Sequence, residues 1–129
     1  MHVYIGGAAN GKRDYVRSML AGREVSWYEG KLPERVDSTV VVAGLENWMA
    51  GTELSEAEAV RQALESLKGQ EVIVILTDIG RGIVPMDPAL RELRDRCGRL
   101  YQRLLAEADE VTRIWYGLAQ TLKKRGEGT

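Results

Sequence analysis

Apolar residues gather along the chain in four runs: "HVYI" from His2, "STVVVAG" from Ser38, "EVIVILTD" from Glu71 and "EVTRIWY" from Glu110. Val40 to Val42 and Val72 to Leu76 are continuous, with no polar residue between them, which predicts strands covered on both faces, as in a parallel sheet flanked by helices. Between the runs the period changes. Ser55 followed by Glu58 is a capping-box pattern, and Val60, Ala63, Leu64 and Leu67 recur at helical spacing until Gly69 stops them. After Pro88, the positions Leu90, Leu93, Cys97, Leu100 and Leu104 form one stripe, predicting a long amphipathic helix to about Ala108. Arg23 to Asp37 reads as a short strand over Val25 to Tyr28 and a turn through Gly30 and Pro33. From about residue 123, "KKRGEGT" is polar and glycine-containing, and a frayed end is expected. Strands alternating with helices predict one α/β domain over residues 1–129.

Charge narrows the partners. Lys plus Arg number 18 against 19 for Asp plus Glu, so the overall basic field of a general nucleic-acid binder is missing and a small ligand is expected. The one cysteine, Cys97, leaves no internal disulfide and no Cys-based zinc cluster, in keeping with a reducing compartment. It falls on the inner stripe of the long helix with no activating His or cationic cluster near it in sequence, so packing explains it better than nucleophilic chemistry. Without an apolar stretch of membrane length, the expectation is a cytoplasmic protein that spans no membrane.

"YIGGAANGKRDY", Tyr4 to Tyr15, carries the candidate chemistry. A strand that turns through glycines into a helix points backbone N–H groups and the positive end of the helix dipole at one spot, which suits a phosphate. Gly6, Gly7 and Gly11 relieve the turn, Ala8, Ala9 and Asn10 complete it, and Lys12 reaches toward β and γ phosphates. The plainer alternative is a glycine turn that only packs a helix on a sheet. In G-x-x-x-x-G-K-[ST] the last residue is a hydroxyl that holds Mg²⁺; here it is Arg13. A strand-end acid normally gives the ion a second contact. "VIVILTD" offers Asp78, whereas "TVVVAG" ends in Ala43 and Gly44, with Glu46 a little further on.

The second half, "TDIGRGIVPMDPALRELRDRCGRLYQRLLAEADEV", resembles the T-N-E-V-G-x-G-I-V-P, R-x-F-R-D-x-x-G-x-x-N-Q and A-D-E-V signature of the bifunctional adenosylcobinamide kinase / adenosylcobinamide-phosphate guanylyltransferase family, CobU. "GGAANGK" is similar to that family's G-G-A-R-S-G-K, and "LENWM" to its D-C-L-T-x-W. The resemblance implies a three-layer, mostly parallel RecA-like P-loop sheet with helices on both faces, use of ATP or GTP with Mg²⁺, a corrinoid substrate and a homotrimer. It implies two reactions, phosphorylation of adenosylcobinamide and transfer of GMP through a guanylylated histidine. By this match Gly6, Gly7, Gly11 and Lys12 stand in the phosphate loop. Thr77, Gly80, Gly82, Ile83, Val84 and Pro85 follow the central strand, and Arg91, Arg94, Asp95, Gly98 and Gln102 fall on the long helix.

The departures fall on chemistry. Arg13 replaces the magnesium-binding hydroxyl; Ala43, aligned through Trp48, replaces the strand-end Asp; Asp78 and Ile79 replace Asn and Glu; Tyr101 replaces the helix Asn. The family's H-R-x-x-R-P segment with the nucleophilic His is reduced to "YEGKLPERVD", and the one histidine, His2, begins the first strand, where a packing role is expected. A guanylyl carrier must deprotonate near neutral pH and leave again, which imidazole does well. Three readings follow: a binder of nucleotide or corrinoid phosphate that has lost guanylyl transfer, an active kinase with magnesium displaced to Asp78 or Glu46, or an assembly partner of a complete homologue. Arg13 would contact phosphate in a bidentate way without metal in the first; pointing to solvent is its inert alternative.

Overall fold

The computed structural model describes residues 1–7, 11–78 and 87–125. Ala8, Ala9, Asn10, Ile79, Gly80, Gly82, Ile83, Val84 and Pro85 lie outside the described residues. In chain order the elements are β1 (His2–Gly6), α1 (Lys12–Met19), β2 (Val25–Glu29), β3 (Thr39–Ala43), α2 (Leu45–Gly51), α3 (Glu56–Leu67), β4 (Val72–Thr77), α4 (Pro88–Glu107), β5 (Glu110–Trp115) and β6 (Leu118–Lys124).

The strands form one six-stranded sheet ordered β2-β3-β4-β1-β5-β6. Every pairing is parallel except β5 with β6. The continuous runs are continuous because both faces are covered. On one face Val3, Val40, Val42, Val74 and Leu76 meet Leu45 and Met49 of α2, Ala63 and Leu64 of α3, and Leu100 and Leu104 of α4. On the other, Tyr4, Val41, Ala43, Ile73, Ile75 and Ile114 meet Val16 and Leu20 of α1 and its end. This is the α/β architecture expected from the sequence, a mostly parallel RecA-like P-loop fold with helices on both faces.

Local signals hold in detail. Ser55 caps α3 by accepting from the Glu58 N–H at 3.3 Å, and Gly69 takes φ +76° just beyond the helix. Asp87 caps α4 by accepting from the Ala89 N–H at 2.8 Å. Two expectations need correction. Leu90 is 57% exposed among the described residues, so the apolar stripe of α4 starts before its buried stretch. The end expected to fray from about 123 is held through Arg125: Lys123 and Lys124 belong to β6, paired in register with Val111 and Glu110. Lys123 Nζ donates to the carbonyls of Leu105 and Ala106 at the end of α4, at 3.1 and 2.9 Å, where the helix dipole favours a cation. The hairpin turns on Tyr116 and Gly117, both at positive φ, 49° and 75°, the handedness that matches strand twist in a two-residue turn.

Candidate phosphate-binding site

β1 is central, and its C-terminal end delivers the glycine turn between β4 and β5. Gly6 is required there by contact: an added Cβ would lie 2.4 Å from the Ile114 carbonyl oxygen of β5. Asp78, just past β4, donates its backbone N–H to the Gly6 carbonyl at 2.9 Å, tying the neighbouring strand end to the start of the turn. The chain re-enters described structure at Gly11, with φ +74° at the N-cap of α1.

Lys12 is 3% exposed, and its ammonium donates to the Gly7 carbonyl at 2.5 Å, so the side chain folds back over the turn. Burial is the main influence lowering its pKa; Arg13 adds to the lowering and Glu46 opposes it. Glu46, in the first turn of α2, is thereby the acid that acts on both Lys12 and Arg13. The Tyr101 hydroxyl donates to Glu46 Oε2 at 3.5 Å from α4. Its phenol is pushed well above the ordinary range, first by burial and then by Glu46. The ends of β1, β3 and β4 thus bring Lys12, Glu46 and Asp78 to one rim of the sheet, where Tyr101 of α4 meets Glu46.

Arg13 has a partner that its sequence neighbourhood does not announce. Its Nε–H donates to Glu29 Oε1 at 3.0 Å and Nη2 to Glu29 Oε2 at 2.8 Å, a two-pronged geometry that suits guanidinium and carboxylate. Glu29 closes β2 opposite Ala43 in register, and Trp27 Nε1–H donates to its Oε1 at 3.4 Å. The hydrogen bond from Arg13 is the largest cause holding the Glu29 carboxyl below its usual range. A Cβ on Gly44 would stand 2.4 Å from Glu29 Oε2, so the carboxylate lies over the end of β3. The inert alternative, Arg13 turned freely to solvent, does not describe this geometry.

A cleft of about 370 Å³ opens beside this rim, lined by Asp78, Arg94, Asp95, Gly98, Tyr101 and Gln102. Four of the five helix positions singled out in the sequence therefore meet Asp78 in one space. Arg91 lies in the exposed first turn of α4, and Thr77 is the last residue of β4. Cys97 is 1% exposed, with burial pushing its thiol up to about 11, as a packing residue requires. His2 sits at the far end of β1 from the turn, its Nδ1 2.9 Å from Glu110 Oε2 and its Nε2 2.8 Å from the Thr112 hydroxyl. Among the described residues no group of three or more His, Cys, Asp or Glu could hold a metal ion, and no helix is long and apolar enough to cross a membrane.

Sequence reasoning missed Glu29 and the Tyr101 to Glu46 contact. The only available signal for Glu29 was an acid closing a short strand, which by itself names no partner.

The sheet order, the helices on both faces and the buried Lys12 opening α1 after the central strand define the class, a mostly parallel α/β domain consistent with the RecA-like P-loop architecture. The sequence profile of the family described as Cobinamide kinase / cobinamide phosphate guanyltransferase, CobU, matches residues 32–122. That is more than half of the chain, and the chain belongs to this cobalamin-biosynthesis family. The matched span begins after the phosphate loop and covers β3 through most of β6. The Bifunctional adenosylcobalamin biosynthesis protein CobU of Salmonella typhimurium is 40% identical over 53 residues, 41% of this chain and 29% of that protein. The similar stretch thus spans less than a third of the relative.

Proposed function

We propose that the chain binds the phosphate groups of GTP or ATP, or the phosphate of a corrinoid, at the turn from Gly6 to Arg13, and does not transfer GMP. The observation that carries this reading is Lys12, buried at 3% exposure with its ammonium 2.5 Å from the Gly7 carbonyl at the start of α1. A buried ammonium is costly unless it meets acceptors, and phosphate oxygens arriving at a helix N-terminus are such acceptors. The position of His2 supports the reading without guanylyl transfer. The one imidazole of the chain is engaged with Glu110 and Thr112 at the opposite end of β1, too remote to carry a nucleotide bound at the turn.

A second reading, an adenosylcobinamide kinase with magnesium displaced to Glu46 or Asp78, draws on the influence of Glu46 on Lys12. Calorimetric titration with GTP and ATP, beside Lys12→Ala, tests the common premise: binding to the parent chain that the variant loses supports it, and heat absent from every titration removes it. Incubation with GTP labelled at the α phosphate, followed by a denaturing gel, should leave the protein unlabelled. Label transfer from the γ phosphate to adenosylcobinamide would favour the kinase. Homo-oligomerisation, with the edge strand β6 and its exposed Leu118 and Leu122 as a contact surface, is part of the same proposal and is read by light scattering during gel filtration.

A further inference from the structure

A phosphate loop ordinarily binds its nucleotide together with Mg²⁺, held by the hydroxyl after the lysine and by a strand-end acid. The residues present do not fit that ion. The guanidinium of Arg13, in the first turn of α1, pairs with Glu29 at the end of β2, opposite Ala43, where β3 itself ends. Glu29, the carboxylate that lies over that strand end, is already joined to Arg13 through Nε and Nη2 at 3.0 and 2.8 Å, and Glu46 in the first turn of α2 accepts from the Tyr101 hydroxyl at 3.5 Å. With Glu29 tied to Arg13, the pair offers a divalent cation no free carboxylate, and the guanidinium beside it disfavours the ion.

We propose that the Arg13 and Glu29 ion pair replaces the divalent cation of the loop, so that the ligand binds as the free phosphate anion and not as its magnesium complex. Arg13 supplies the positive charge, and Glu29 is the positioning residue that holds it at the strand ends. Glu29 engages only one edge of the guanidinium; the Nη1 group and the second N–H of Nη2 are not used by it and can donate to phosphate oxygens. Arg13 and Glu29 together carry no net charge, so the pair acts on the ligand through the directed N–H groups that Glu29 leaves unused; Glu29→Gln releases the guanidinium's charge but loses that direction, and on this proposal the loss of direction is the larger effect. This inference rests on the phosphate-site reading above and adds to it the charge state of the ligand and the role of Glu29.

The test is calorimetric titration with GTP, in excess Mg²⁺ and separately in EDTA, for the parent chain, Arg13→Ser, Arg13→Lys, Glu29→Gln and the Arg13→Ser/Glu29→Gln double variant, with thermal melts to confirm that each folds. The parent should bind at least as tightly in EDTA as in Mg²⁺. Arg13→Ser should lose about tenfold or more in EDTA, the worth of one charged hydrogen bond, and should bind better with Mg²⁺. Arg13→Lys keeps the charge without the fork and should retain metal-independent binding at reduced affinity. Glu29→Gln should weaken binding in EDTA and have no effect in the Arg13→Ser background. Parent binding that requires Mg²⁺ overturns the replacement while leaving the phosphate site standing. So does a Glu29→Gln variant that binds as tightly or more tightly in EDTA. A parent chain that binds GTP in neither medium overturns the phosphate site itself, and the replacement with it.

Discussion

Gly6 and Cys97 have roles set by atoms a few ångströms away, and each makes a measurable demand. At Gly6 the Ile114 carbonyl stands 2.4 Å from where a Cβ would be, and a backbone oxygen in a sheet cannot rotate aside. Gly6→Ala should therefore cost about 2–3 kcal/mol, in the range of an overpacked core, read as a lower urea midpoint by tryptophan fluorescence. An unchanged midpoint would mean that β1 and β5 separate easily. At Cys97, burial that leaves 1% exposure and pushes the thiol up to about 11 removes both access and thiolate. Its labelling by a thiol-specific disulfide reagent at neutral pH should be slow in the native chain and become rapid in urea; fast native labelling would place the thiol outside the core. The packing role of Cys97 was legible from the period of its helix. The Gly6 contact was not, because Ile114 is far away in sequence and adjacent only once β1 and β5 pair.

Elements were the most legible level. Strands β1 to β5 and helices α3 and α4 followed from the run and period of apolar residues, α2 did not, and the caps at Ser55 and Asp87 sit where local hydrogen-bonding chemistry puts them. β6 escaped notice because all its residues but Lys123 are exposed, so no buried face writes an alternation into the sequence; its pairing with β5 makes it a strand. The β1 to β5 contact carries a pH dependence. Burial is the largest influence on His2 and lowers its pKa from 6.5, with Glu110 opposing and the N-terminal ammonium adding to the lowering. Because the folded value lies below the unfolded one, the unfolded chain takes up the proton first as pH falls. The stabilisation is fully present above about pH 6.5 and declines below it until the folded value is reached. The urea midpoint should fall between about pH 7 and pH 5, and His2→Gln should flatten that part of the profile. An unchanged slope in the variant would assign it to other groups.

For the whole molecule, the two-faced sheet decides which of several similar residues matter. Leu104 is fully buried between α4 and the sheet, whereas Leu122 on β6 is 53% exposed. Leu104→Ala should lose about 2–5 kcal/mol at any protein concentration, and Leu122→Ala should stay within about 0.5 kcal/mol of the parent in dilute solution, where no second copy covers β6, both from urea unfolding. Comparable losses would mean that β6 is covered in solution, as an oligomer through that edge requires, and a concentration-dependent midpoint for Leu122→Ala would identify that case.

By itself the sequence determined the α/β class, the strands other than β6 and the helices α3 and α4 with their ends, because each is written in neighbours within a few residues. Its motif order also carried the likeness to CobU. Tertiary structure alone decided what Arg13 does. Residue 13 and residue 29 are separated by a helix and a turn, and only the laying of α1 across the sheet brings a guanidinium against the carboxylate that closes β2. Charge pairing depends on distance in space, and distance in space is what a one-dimensional pattern leaves open until the sheet is assembled.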